Sequence, residues 1–192
     1  MSVWETVVRS MRAAGLGLCG LMLVGCVSVP YATLPSGPAE RPYQPPVAWN
    51  GSGGPSMERP ATPLQCVPFA RNTSRIEIYG DAHTWWDQAA GRYPRSSIPA
   101  EGSVLVLRGY NTDARGHVAV VTQIVSDREI LVDQANWMNG GEITRRVPVL
   151  DVSPGNDWSQ VRVWWLPTQS LGVRIYQAQG FIHPLPVLLA AS

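Results

Sequence analysis

Between Ser103 and Trp165 the chain sets five strand-like runs in a row with no helical segment between them. They are Val104–Leu107, Val118–Val125, Ile130–Val132, Ile143–Leu150 and Val161–Trp165. Most are rich in β-branched residues, and Ser126-Asp127-Arg128-Glu129 separates two of them as a hairpin-length loop. Parallel strands need long, usually helical crossovers, so this order predicts antiparallel neighbours. Two short helix candidates precede them. One opens at Cys66, with Phe69, Ala70 and Thr73 at helical spacing and Pro68 tolerated in the first turn. The other opens after Gly80, with Asp81 as N-cap. Its apolar stripe is Ala82, Trp85, Trp86, Ala89 and Ala90, and Gly91 stops it. Helices first and strands after predict an α+β fold, with N-terminal helices packed on an antiparallel β-sheet.

The globular part spans 64–184. Residues 26–63 read as a Pro-rich linker, with Pro30, Pro35, Pro38, Pro42, Pro45, Pro46, Pro55, Pro60 and Pro63 among Gly, Ser and Ala. Such chain stays extended and builds no core. An apolar tail, 185–192, is too short to span a bilayer. At the other end, Arg9 and Arg12 precede the apolar run Ala13–Cys26, the layout of an export signal over 1–25. Leu23-Val24-Gly25-Cys26 resembles the bacterial lipobox, which implies cleavage before Cys26 and lipidation of its thiol. The expected location is then the cell envelope, as a membrane-anchored lipoprotein facing the periplasm or the exterior. A formal net charge of +1 gives no reason to expect a nucleic-acid partner.

With Cys19 in the signal and Cys26 lipidated, Cys66 is the one thiol left in the mature domain, and no disulfide framework is expected. A thiol at a helix start is placed where unpaired N–H groups favour a thiolate and could hold an oxyanion. Its pKa is therefore expected below the ordinary value of about 8.5. His117 opens the strand Gly116–Val121 and is the candidate general base; Gly116 lets a substrate approach the backbone. A third group should hold the imidazole tautomer, and Asp133 and Asn136 are the candidates. His83, on the polar side of a helix, and His183, in a Pro-flanked tail, are weaker candidates. The scattered histidines give no metal-ligand spacing, so neither a metal nor a cofactor is expected.

At these residues Leu64–Trp165 resembles a CHAP domain, the cysteine, histidine-dependent amidohydrolase/peptidase of the NlpC/P60-like, papain-related superfamily. The motifs are Gln65-Cys66-Val67 with Phe69-Ala70, then Gly116-His117-Val118-Ala119-Val120-Val121, then Val132-Asp133-Gln134-Ala135-Asn136-Trp137. The resemblance implies a papain-like fold and an exported hydrolase that cuts an amide or peptide bond of peptidoglycan. It would act as an N-acetylmuramoyl-L-alanine amidase or an endopeptidase. Cys66 would be the nucleophile and His117 the base; Asp133 would orient His117, and Asn136 would assist. The chain departs from the family in one respect. Many members carry Glu, one intervening residue, then Asn, whereas Asp133 and Asn136 have two residues between them. Strand alternation puts 133 and 136 on opposite faces unless a bulge intervenes. A second reading, a cysteine acyltransferase or transpeptidase, uses the same residues, and a third is a catalytically inactive lipoprotein that binds the wall through a Trp-rich groove. A monomer is expected.

Overall fold

The computed structural model describes residues 43–44, 53–112 and 114–185. The export signal, Cys26, most of the linker and the tail beyond Leu185 lie outside the described residues.

The domain is mostly β. In chain order the elements are β1 (Ser56–Glu58), α1 (Cys66–Ser74), a 3₁₀ turn (Ala82–Thr84), α2 (Trp85–Ala89), β2 (Arg95–Ser96), β3 (Val104–Leu107), β4 (His117–Ser126), β5 (Glu129–Ala135), β6 (Ile143–Asp151), β7 (Gln160–Trp165), a second 3₁₀ turn (Leu166–Thr168), β8 (Ser170–Leu171) and β9 (Tyr176–Ile182). Every strand pairing is antiparallel. The ladder runs β6-β5-β4-β3-β9-β7, and β7 pairs back onto β6 through Val149 opposite Val163. Six strands thereby close into a barrel.

That closure corrects the expected fold class. A papain-like α+β fold, with helices packed on a sheet, is not what forms. The two α-helices are short, at nine and five residues. The expected second helix splits into a 3₁₀ turn and a single α turn. The strand that decides the architecture is β9, which pairs with both β3 and β7 and removes the free edges an open sheet would have.

Closure divides the apolar residues into two cores. Inside the barrel lie Leu105, Leu107, Ala119, Val121, Ile130, Val132, Val147, Val149, Val161 and Phe181. On the outer face, Val104, Val106, Val118, Val120 and Ala135 meet Phe69 and Ala70 of α1 and Trp85 and Ala89 of α2. Trp85 is fully buried there, and burial of a side chain of that kind contributes about 1.5–3 kcal/mol. Adjacent residues of β3 and β4 thus serve different cores, as period-two alternation requires.

The stretch read as linker also contributes to the domain. Ser56–Glu58 pairs with Ile143–Arg145 of β6. Tyr43 packs edge-on against Trp164 and donates its hydroxyl to Glu129.

Candidate active site

Three chain segments meet at one end of the barrel, and each has a local reason to be there. The first is the start of α1. Gly141 sits at φ 97°, and a β-carbon there would lie 2.6 Å from Pro63 Cβ and 2.9 Å from the Leu64 nitrogen. Only glycine permits this crossing, and the Leu64 N–H donates to the Gly141 carbonyl at 3.0 Å. The chain then turns into α1 with Gln65 as an extended N-cap residue (φ −84°, ψ 157°). Cys66 is the first helical residue, as the sequence suggested.

The second segment is the start of β4. A β-carbon on Gly116 would lie 2.8 Å from the Leu107 carbonyl oxygen and 2.9 Å from the His83 nitrogen. Gly116 therefore lets the 3₁₀ turn at Ala82 close against His117. The third segment is the end of β5. Asn136 leaves the strand in the left-handed region at φ 57°, a conformation Asn tolerates, and its N–H donates to the Glu142 carbonyl at 2.9 Å.

These segments line a cleft of about 580 Å³. Its walls include Gln65, Cys66, Asp81, Arg115, His117 and Asn136. Cys66 is a free, partly buried thiol. Its sulfur lies against the backbone N–H groups of Val118, Val67 and Cys66 itself. Burial nevertheless outweighs these donors and pushes the thiol pKa up. The sequence-based expectation of a depressed thiol pKa is thereby corrected: desolvation is the larger effect.

His117 is buried, and burial lowers its pKa to about 4, partly offset by the hydrogen bond it donates to Gln134. Imidazole Nε2 lies 2.9 Å from Gln134 Oε1. An amide oxygen only accepts, so Nε2 carries the proton, and Nδ1 is left as the ring's one acceptor. Trp137 packs edge-on against the imidazole, with centroids 4.7 Å apart. Burial thus disfavours the charged form of both the thiol and the imidazole.

The side chain hydrogen-bonded to His117 is Gln134, not Asp133. Asp133 points to the opposite face of β5. Its carboxylate accepts from Arg145 Nη1 at 2.9 Å and from the Arg146 N–H at 2.8 Å. Arg145 also pairs with Glu58 of β1 and lies over the Phe69 ring of α1, 5.3 Å from its centroid. A bulge does occur here, but on β6. Between the pairs Val132/Val147 and Gln134/Thr144, β6 has one more residue than β5, and Arg146 adopts φ 52°. The alternation of β5 is left intact. Ile130, Val132 and Gln134 face the barrel interior, and Asp133 faces outward.

Asn136 reaches the cleft, and its side-chain amide is turned to Gln65 of the α1 N-cap. Its Nδ2 donates to Gln65 Oε1 at 2.7 Å, tying the end of β5 to the start of α1. The two weaker histidine candidates are elsewhere. His183 Nε2 lies 2.8 Å from Ser96 Oγ, and His83 faces a smaller pocket with Asp87 and Arg108. Sequence reasoning missed Gln134. A signal existed, because Gln134-Ala135-Asn136 has the one-residue spacing of the family's Glu and Asn, with Gln standing where Glu is common.

The CHAP domain family model matches residues 56–136. The stretch begins at β1 and ends on Asn136, so it includes every cleft residue named here. Strands β6, β7 and β9 follow it. No curated protein matches the chain.

Proposed function

Because the chain carries a CHAP domain, and such domains point to amidase- or peptidase-type hydrolysis of peptidoglycan, we propose that this protein cuts an amide bond of the wall by nucleophilic attack of Cys66. The observation that carries the mechanism is the His117–Gln134 hydrogen bond, because it fixes which imidazole nitrogen is basic.

From a neutral pair, the Cys66 thiol gives its proton to His117 Nδ1 as sulfur attacks the carbonyl carbon. The carbonyl π pair moves onto oxygen, and N–H groups at the start of α1 are suited to hold that oxyanion. The imidazolium then donates its proton to the amide nitrogen. The C–N bond breaks, the amine leaves, and a thioester remains on Cys66. Water loses a proton to His117, attacks the thioester and releases the acid, and the proton returns to sulfur. Gln134 holds the ring through both steps without adding a charge. That suits a buried imidazole, which gains its proton only transiently.

Cys66→Ala protein incubated with purified peptidoglycan should release no fragments, while the native chain releases fragments whose masses identify the bond. Release by the variant at the native rate would sink the proposal. Adding an amine to the digest separates hydrolysis from acyl transfer, since a transferase would form an amide product in place of the free acid. Export and lipidation at Cys26 are part of this proposal, supported by the basic and apolar pattern preceding that residue. Unchanged mass and membrane retention of a Cys26→Ser chain would exclude the lipid.

A further inference from the structure

A line of rings starts on the imidazole, and the mechanism above does not use it. Trp137 meets His117; Tyr176 meets Trp137 with centroids 5.0 Å apart; Tyr110 meets Tyr176 at 5.7 Å. Arg174 lies over the Tyr110 ring at 4.7 Å, and the Tyr176 hydroxyl donates to Met138 Sδ at 3.5 Å. Exposure rises outward, from 8 % at Trp137 to 46 % at Tyr110 and 56 % at Met138. Val173 and Ile175, on either side of Arg174, are exposed as well. Single exposed apolar residues are ordinary, but a graded series leading away from an imidazole is a surface with a direction.

The chemistry says which part of a substrate follows that direction. The departing nitrogen must sit where His117 can protonate it, so whatever is bonded to that nitrogen leaves the cleft past the imidazole. The acyl part stays over Cys66. An amidase acting at the glycan–peptide junction and an endopeptidase both release a peptide amine, so the occupant on this side is a peptide in either case. Wall peptides carry aliphatic side chains and free carboxylates. Arg174 stacks on the face of Tyr110, an arrangement that leaves the N–H edge of its guanidinium for a carboxylate. We propose that Tyr110, Met138 and Arg174 form a subsite for the leaving-group peptide, with its aliphatic portion on the ring and thioether and its carboxylate on Arg174. The inference rests on the hydrolase reading. Its residues lie partly outside the family match, since Met138, Arg174 and Tyr176 come after residue 136.

Two experiments test it. In the first, the full chain, Tyr110→Ala and Arg174→Gln are each given two soluble substrates. The acyl part is the same; the leaving group is either a carboxylate-bearing tripeptide or a single amino-acid amide. The ratio of kcat/KM for the long over the short leaving group should fall about tenfold in each variant, the effect of one well-placed contact. In the second, the tripeptide alanyl-γ-glutamyl-diaminopimelate and the peptide-free disaccharide are titrated calorimetrically into full-length Cys66→Ala chain, with and without Tyr110→Ala. Tripeptide affinity should drop about tenfold with Tyr110→Ala and disaccharide affinity should not. An unchanged kinetic ratio, or tripeptide binding that is absent or independent of Tyr110, overturns the subsite. Loss confined to the disaccharide would make it a glycan site and overturns it too. A native chain that hydrolyses neither substrate, yet binds tripeptide through Tyr110, would strike out the reaction and leave the subsite standing.

Discussion

Asp133 and Gln134 are neighbours in sequence and belong to different parts of the molecule. Asp133 faces outward and clamps Arg145 between β1, β5 and α1; Gln134 faces the barrel interior and holds His117. The outward residue is charged and paired with a cation. The inward residue is neutral and 1 % exposed. The difference follows from solvation. A carboxylate at the Gln134 position would be desolvated and would draw a proton onto His117, whereas at the rim a carboxylate keeps some water and a guanidinium partner. One strand can therefore carry a stability site on one face and a chemical site on the other, and substitutions on the two faces should give different kinds of defect.

The largest effect belongs to Cys66. Cys66→Ala should abolish turnover, while the outer core around Phe69 and Ala70 keeps the fold; fragment release from purified peptidoglycan checks the first and thermal unfolding the second. Iodoacetamide should label Cys66 slowly at neutral pH, because burial holds the thiol above its ordinary range. Fast labelling at pH 7 would show that the site ionises the thiol after all.

Next comes the inward face. Gln134→Leu keeps the approximate volume but removes the acceptor of the imidazole N–H. Turnover should fall by ~10²–10⁴, the scale seen when a tautomer is lost. Gln134→Glu should instead raise the His117 pKa and shift the acid limb of the pH–rate profile upward from about 4. In the native chain the rate should climb through that limb, stay level across neutrality and decline where the raised thiol ionises. An acid limb that does not move in Gln134→Glu would mean that Gln134 does not govern the imidazole.

The contrast between the two residues explains what could be read beforehand. Strands β3 to β7 are written in runs of apolar and β-branched residues, and the start of α1 follows from the break in composition at Leu64. Barrel closure was not legible. Strand β9, Tyr176-Gln177-Ala178-Gln179-Gly180-Phe181-Ile182, holds two glutamines and a glycine, and its place between β3 and β7 is a long-range pairing that no local period encodes. Strand β1 is three exposed residues in a Pro-rich stretch. In the site, Cys66, His117 and Asn136 do line one cleft. Gln134 is masked in the sequence by Asp133, a carboxylate one residue earlier that could also hold an imidazole. The alternation Ile130, Val132, Gln134 already put Gln134, and not Asp133, on the face of the apolar interior.

A smaller effect of the inward face is on stability. The folded chain holds His117 at about 4, against 6.5 when exposed. The unfolded chain therefore binds a proton that the folded chain refuses. Stability is complete above pH 6.5 and falls as pH drops from 6.5 to 4, by about 3 kcal/mol for 2.5 pH units. Urea unfolding of the native chain and His117→Gln across that range should show the slope in the first and its loss in the second. Equal slopes would mean that other groups carry the acid sensitivity.

The smallest effect is the one that completes the comparison. Asp133→Asn keeps the shape of the side chain and can still accept from the Arg146 N–H, now 2.8 Å from the carboxylate. What it loses is the charge opposite Arg145, whose guanidinium remains partly buried between Glu58 and Phe69. Removing one partner of a charge-assisted bond at a partly buried site costs about 1–2 kcal/mol. The unfolding free energy should fall by that amount, and turnover at a temperature well below the transition should stay within a factor of about two, since among the described residues Asp133 shares no hydrogen-bond partner with His117. Adding Glu58→Gln should bring a further loss, because it leaves the guanidinium with neither carboxylate. The ratio of the two defects is what discriminates. If Asp133→Asn lowered turnover as much as Gln134→Leu while leaving stability alone, Asp133 would act on the imidazole, and the division of β5 into a structural face and a chemical face would be wrong.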